Sequence, residues 1–134
     1  MGAQILVPFD GSKHALKALH IASDLAGKYK CGILVLAVVP PSTHDRQKAK
    51  SQAERTTNTA LEKLSKLGID NVETAMEFGE IAESIVLVAA QQKMKIIVMG
   101  CRGVKEGAEA GKGQFGSVSN KVFQLAECTC ISVK

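Results

Sequence analysis

Chemistry is concentrated in one stretch of the chain, GCRGVKEGAEAGKGQFGSVS at residues 100–119. It holds six glycines in twenty residues, with Arg102, Lys105 and Lys112 among them. Glycine lets successive backbone N–H groups turn into one concavity, and a helix opening at Gly116-Ser117 adds unpaired N–H groups and a positive dipole end. That combination suits an anion, a phosphate first of all. A plain surface loop with incidental lysines has a similar composition, so order along the chain is what favours the phosphate. An apolar run, Ile96 to Met99, precedes the glycines and an amphipathic one follows, the strand, glycine loop and helix of many phosphate sites. Two better-known patterns fail here. Gly111-Lys-Gly-Gln-Phe-Gly116 fits G-x-G-x-x-G but follows a loop, and the chain ends before any acidic residue on a later strand. Gly107 to Gly113 has one residue too few between its glycines for a P-loop, and Gly113 where Ser or Thr would hold magnesium.

Other reactive side chains offer less. Asp10 follows the first apolar run, where it either accepts from a ligand hydroxyl or amine or shapes the turn before Ser12. His14 and His20 are six residues apart, off the i, i+4 spacing of paired metal ligands, and His44 lies beside Pro40-Pro41. No Ser-His-Asp or Cys-His set can be assembled. The four cysteines, Cys31, Cys101, Cys128 and Cys130, contain no C-x-x-C pair and no zinc spacing. Cys101, between Gly100 and Arg102, is either an accessible thiol beside a cation or a small residue after a strand; the second reading is preferred. Cys128 and Cys130 alternate onto one strand face, an awkward geometry for a disulfide.

These residues need a scaffold, and the apolar periodicity describes one. Ile5-Leu-Val7 reads as a strand. Ala15, Ala18, Leu19, Ala22, Leu25 and Ala26 mark a helix with Ser12 as its N-cap. Cys31 to Val39 is a continuous apolar run, as in a strand covered on both faces, and Pro40-Pro41 stops it. Ser42 to Gly68 keeps helical spacing through Ala53, Thr57, Ala60, Leu61, Leu64 and Leu67. Val72, Thr74 and Met76 alternate as a strand, with Phe78-Gly79 as the turn. Ile81, Ile85, Val88 and Ala89 mark a third helix with Glu80 and Glu83 near its positive end. Ile96 to Met99 is a strand, Val118, Val122, Leu125 and Ala126 a helix, and Cys130 to Val133 the last strand. The order β-α-β-α-β-α-β-α-β, without repeat or linker, implies an α/β fold: a three-layer α/β/α sandwich around a five-stranded, mostly parallel sheet. Ligands of such sheets bind at the carboxyl ends of strands where the strand order reverses. That selects Pro8 to Ser12, Val38 to Pro41 and Gly100 to Ser119.

Composition sets the outer limits. The 134 residues make one domain, 1–134, able to bury roughly two thirds of its unfolded surface. With 46% hydrophobic and 22% charged residues, disorder, collagen and coiled coil are poor descriptions. No run approaches a membrane span and the N-terminus has no secretory pattern, so a cytoplasmic protein with reduced thiols and no membrane contact is expected. The net charge of +4 is uneven, residues 1–67 carrying 10 Lys/Arg against 5 Asp/Glu and residues 68–134 carrying 7 against 8. With no Trp and one Tyr the basic excess lacks aromatic interleaving, and nucleic acid is not expected as a partner.

Taken together, Ile5-Leu-Val-Pro-Phe-Asp-Gly-Ser12, Ala37-Val-Val-Pro40, Phe78-Gly79, Ile96-Ile-Val-Met-Gly-Cys-Arg-Gly103 and Gly116-Ser-Val-Ser119 resemble the universal stress protein family nearly end to end. Gly100-x-x-Gly103 and Gly116-Ser117 match the nucleotide motif of its ATP-binding branch, Gly, two residues, Gly, nine residues, Gly-Ser or Gly-Thr. Here Val104 to Phe115 is twelve residues, three more than that pattern. The resemblance implies the Rossmann-like fold of the adenine nucleotide alpha hydrolases and a nucleotide site. Pro8, Asp10 and Val38 would lie around adenine and ribose. Met99, Gly100, Arg102 and Gly103 would approach the ribose and first phosphates, and Gly116, Ser117, Val118 and Ser119 the phosphate chain. It further implies ATP or a related adenine nucleotide as ligand, with or without magnesium, and a homodimer through the C-terminal strand. A stress-response sensor with an unidentified protein partner is expected rather than an enzyme, since no paired carboxylate or positioned base stands beside the loop. The rival readings are a nucleotide-free dimeric interaction module and a redox-responsive protein using Cys101.

Overall fold

The structure, a computed structural model, describes residues 2–42, 44–101 and 116–134. Nine elements alternate along it: β1 (Ala3–Pro8), α1 (Lys13–Tyr29), β2 (Gly32–Val39), α2 (Arg46–Lys66), β3 (Val72–Phe78), α3 (Ile81–Gln91), β4 (Ile96–Gly100), α4 (Ser117–Leu125) and β5 (Thr129–Val133). The strands form one parallel sheet in the order β3-β2-β1-β4-β5. From β1 the chain winds outward to β2 and β3, then returns to place β4 on the other side of β1. The order therefore reverses between β1 and β4.

Side-chain alternation sorts the two faces. Ile5, Val7, Ile33, Val35 and Val98 meet the alanine stripe of α1 and Ala60 and Leu64 of α2. Leu6, Leu34, Leu36, Ile97 and Met99 meet Ala82, Ile85, Val88 and Ala89 of α3 and Val122 of α4. Two apolar layers with a sheet between them are the three-layer sandwich that the alternating pattern implied. The apolar run of β2 is buried almost throughout because both faces are covered.

The caps set the helix starts. Ser12 Oγ accepts from the Ala15 N–H at 3.2 Å and Asp45 Oδ1 from the Lys48 N–H at 3.0 Å. A Glu80 carboxylate oxygen accepts from the Glu83 N–H at 2.7 Å. Asp45 corrects one expectation, since α2 begins at Arg46, after the cap, rather than at Ser42. A second correction concerns β3. Val72, Thr74 and Met76 lie on the expected strand, an edge strand with Val72 and Met76 half-buried and Thr74 exposed, but Phe78 belongs to the strand instead of the turn. Phe78 stays 42% exposed under the Arg46 guanidinium, 4.4 Å from the ring centre. Cys128 and Cys130 are both free thiols.

Candidate functional site

A cleft of about 470 Å³ opens at the carboxyl ends of β1, β2 and β4, where the strand order reverses. Its walls include Pro8, Asp10, Val38, Met99, Gly100, Val118 and Ser119, seven of the residues that the sequence assigned to a nucleotide. Four come from strands, two from the start of α4 and one from the β1–α1 turn, so only the sheet order brings them together. Gly116 and Ser117 form the entry of α4 and are not among the cleft walls. Arg102 and Gly103, with the longer segment between the glycines, lie outside the described residues.

The turn at Asp10 is built locally. Asp10 Oδ1 accepts from the Ser12 N–H at 2.9 Å, and Gly11 adopts a φ of +84°, which an L side chain rarely tolerates. Asp10 thus fills the turn role that was its alternative reading, and it also faces the cleft. A carboxylate has about four acceptor positions, so both roles are compatible. Gly100 has a packing reason of its own. A Cβ there would stand 2.6 Å from His14 Cβ, 2.8 Å from the His14 carbonyl carbon and 3.0 Å from the Ala15 nitrogen. The first glycine of the motif therefore lets β4 touch the backbone of α1.

The ends of the glycine-rich segment are tied together. The Gly116 N–H donates to the Cys101 carbonyl at 2.7 Å, and the Cys101 N–H donates to the Val133 carbonyl at 2.8 Å. Ser119 Oγ donates to the Gly100 carbonyl at 2.9 Å. The first turn of α4 is thereby held against β4. These bonds also occupy the Gly116 N–H and the Ser119 hydroxyl hydrogen, two of the donors expected for phosphate. Gly116 caps α4 without a side chain, so it covers none of the other first-turn N–H groups, whereas α1, α2 and α3 have side-chain caps.

Lys121 of α4 pairs with Glu80 and Glu83 of α3 at 3.5 and 3.4 Å. The pairs are exposed and contribute little to stability. The Glu83 N–H bonded to the Glu80 carboxylate holds that group below its usual range, with the Lys121 charge adding to the effect. No cluster of three or more His, Cys, Asp or Glu suited to a metal occurs among the described residues. Cys101 is 4% exposed, which favours the packing reading over an accessible thiol.

Sequence reasoning missed one wall. α2 lines the cleft with Ala49, Gln52, Ala53 and Thr56, and α3 adds Ile81 and Ile85. Ala53, Ile81 and Ile85 were legible as parts of apolar stripes, but a stripe does not say which of its residues borders a cleft.

The model of the universal stress protein family matches residues 1–134. The chain belongs to the universal stress protein family. A relative from Thermus aquaticus, described as a universal stress protein in a QAH/OAS sulfhydrylase 3′ region, is 30% identical over 136 residues, covering 97% of each chain. The solved universal stress protein of Archaeoglobus fulgidus superposes with a TM-score of 0.87 at 25% identity, covering 100% of both chains. A structure of the Archaeoglobus fulgidus universal stress protein in complex with dAMP has a TM-score of 0.81 at 22% identity, covering 98% of each. These likenesses agree with the five-stranded parallel sheet and four helices of this family member.

Proposed function

We propose that this chain binds an adenine nucleotide in the cleft at the ends of β1, β2 and β4 and works as a homodimeric sensor in the stress response. ATP, with or without magnesium, is the expected ligand. One observation carries the reading: the strand order gathers Pro8, Asp10, Val38, Met99, Gly100, Val118 and Ser119 around a single cleft. Pro8, Val38 and Met99 offer apolar surface for a base, Asp10 an acceptor for sugar hydroxyls, and the start of α4 a positive dipole end for phosphate. The dAMP bound by a structural neighbour supports an adenine nucleotide as the ligand class. The bond from Gly116 to Cys101 fixes the start of α4 at the end of β4, the side on which the phosphates are proposed to lie. Binding without efficient turnover is the proposed activity.

The test is calorimetric titration of the purified chain with ATP and magnesium, and with AMP, after extraction and identification of any nucleotide that co-purifies. Micromolar binding supports the reading. A folded protein that binds none of these and carries no nucleotide overturns it, leaving the interaction module as the better description. That second reading draws on α2, whose length carries Arg46, Lys48, Lys50, Arg55, Lys63 and Lys66 against Glu54 and Glu62. Gly116→Val separates the two, since a branched side chain at the entry of α4 crowds the proposed phosphate position and weakens nucleotide binding under the first, and is silent under the second. The Gly116 φ of −67° is open to valine, so the backbone adds no strain.

A further inference from the structure

The wall contributed by α2 has a chemistry of its own. Ala49, Gln52, Ala53 and Thr56 follow the i, i+3, i+4, i+7 spacing of one helical face turned to the cleft. The alanines keep that face low where it packs on Ala37 and Val39 of β2, which leaves width for a planar group beside the strand end. The hydroxyls around the cleft are already engaged as donors or caps. Thr56 Oγ1 donates to the Gln52 carbonyl at 3.0 Å, Ser119 Oγ donates to the Gly100 carbonyl, and Ser12 Oγ accepts from the Ala15 N–H. Among the described residues lining the cleft, Gln52 carries the one carboxamide.

The orientation of that carboxamide is biased. Arg55, one helical turn on, approaches Gln52 Oε1 with Nη2 at 3.5 Å. A guanidinium only donates, so it favours the oxygen on its own side, and the oxygen retains a second lone pair. A carboxamide held this way offers an acceptor beside a donor. Adenine is the complement, with its 6-amino group donating beside a ring nitrogen that accepts. A 6-oxo purine sets a carbonyl oxygen against Oε1, and turning the amide over would set its NH₂ against the guanidinium. Asp10 lacks this discrimination because a carboxylate has no donor.

We infer that Gln52 selects the base, accepting from the adenine 6-amino group through Oε1 and donating through Nε2 to the adjacent ring nitrogen. The inference rests on the adenine-nucleotide reading of the cleft. Its ligand class is a 6-aminopurine nucleotide, and it makes α2 a specificity wall.

The full chain and its Gln52→Ala and Gln52→Glu variants are titrated with AMP, IMP and purine riboside 5′-monophosphate, which lacks the 6-amino group. Gln52 is exposed and alanine is the stronger helix former, so the fold survives the first change, and circular dichroism checks it. Wild type prefers AMP to IMP by about tenfold, in the range of a good bidentate pair. Gln52→Ala weakens AMP by about fivefold or more and brings AMP and IMP within about twofold. Removing the 6-amino group weakens binding to wild type and has little further effect on the alanine variant. Gln52→Glu also loses AMP affinity, since its carboxylate accepts but cannot donate. Wild-type AMP binding with an AMP-to-IMP ratio unmoved by Gln52→Ala overturns this inference and leaves the cleft assignment standing. A wild type that binds none of the three, and no ATP either, overturns both.

Discussion

Gly100 lines the cleft and is also held to glycine by packing. A methyl group there meets the His14 carbonyl carbon and the Ala15 nitrogen at 2.8 and 3.0 Å, backbone atoms that cannot swing aside. Gly100→Ala must push the end of β4 away from α1. It is expected to lower stability by about 1–3 kcal/mol, the usual range for overpacking, read as a fall in the urea midpoint. An unchanged midpoint would show that the strand and helix can separate freely. Cys130 gives a residue-scale prediction of another kind. Burial, with the neighbouring Cys128 thiol adding, pushes its thiol from 9.0 up to about 11. The unfolded chain ionises first as pH rises, so the neutral folded thiol contributes stability that is complete below 9.0 and lost by about 11. Urea midpoints across that window should fall with pH, and Cys130→Ala should flatten the slope. Equal slopes in both proteins would assign the alkaline loss elsewhere.

At the scale of elements, α2 is where stability and the proposed recognition share a cause. Its first turns hold Ala49 and Gln52 at the cleft, and the Asp45 carboxylate caps those turns through the Lys48 N–H. Asp45→Ala should cost about 1 kcal/mol. It should also weaken AMP more than an exposed substitution near the other end, such as Lys63→Ala, because a frayed start moves the cleft wall. Calorimetry on both variants checks this, and equal affinities would show the wall to be stable without its cap. The same helix marks the limit of sequence reading. Strands, helices and the Ser12 cap were legible because apolar period and cap chemistry are local. The edge position of β3 and the cleft face of α2 were not, since both depend on the order β3-β2-β1-β4-β5, which no local pattern encodes. Of the candidate site, Pro8, Asp10, Val38 and Gly100 fall in the segments that the strand-end rule selects, whereas Met99 came only from the family resemblance. The internal bonds of Gly116 and Ser119 depend on where α4 docks, which its own sequence does not specify.

For the whole molecule, the two sheet edges make opposite invitations to a second copy. An edge strand presents unpaired N–H and C=O groups, and charged side chains are one way to discourage pairing there. β3 carries Glu73 and Glu77, whereas β5 reads Thr-Cys-Ile-Ser-Val without a charge. The proposed homodimer therefore belongs at β5. Ile131→Lys is a poor test of it, because Ile131 packs against the core under α1 and a lysine there would disturb folding as well. Thr129 lies on the same strand and is exposed. In a two-fold pairing each substitution occurs twice, so Thr129→Lys brings two ammonium groups to one interface. Light scattering should then report the 14.2 kDa of one chain in place of twice that mass. Thr74→Lys, exposed on the β3 edge, should leave the larger mass unchanged. The opposite pattern would move the interface to β3. A wild type of single-chain mass would remove the dimer from the proposed function while leaving the proposed nucleotide site, which is lined within one chain, untouched.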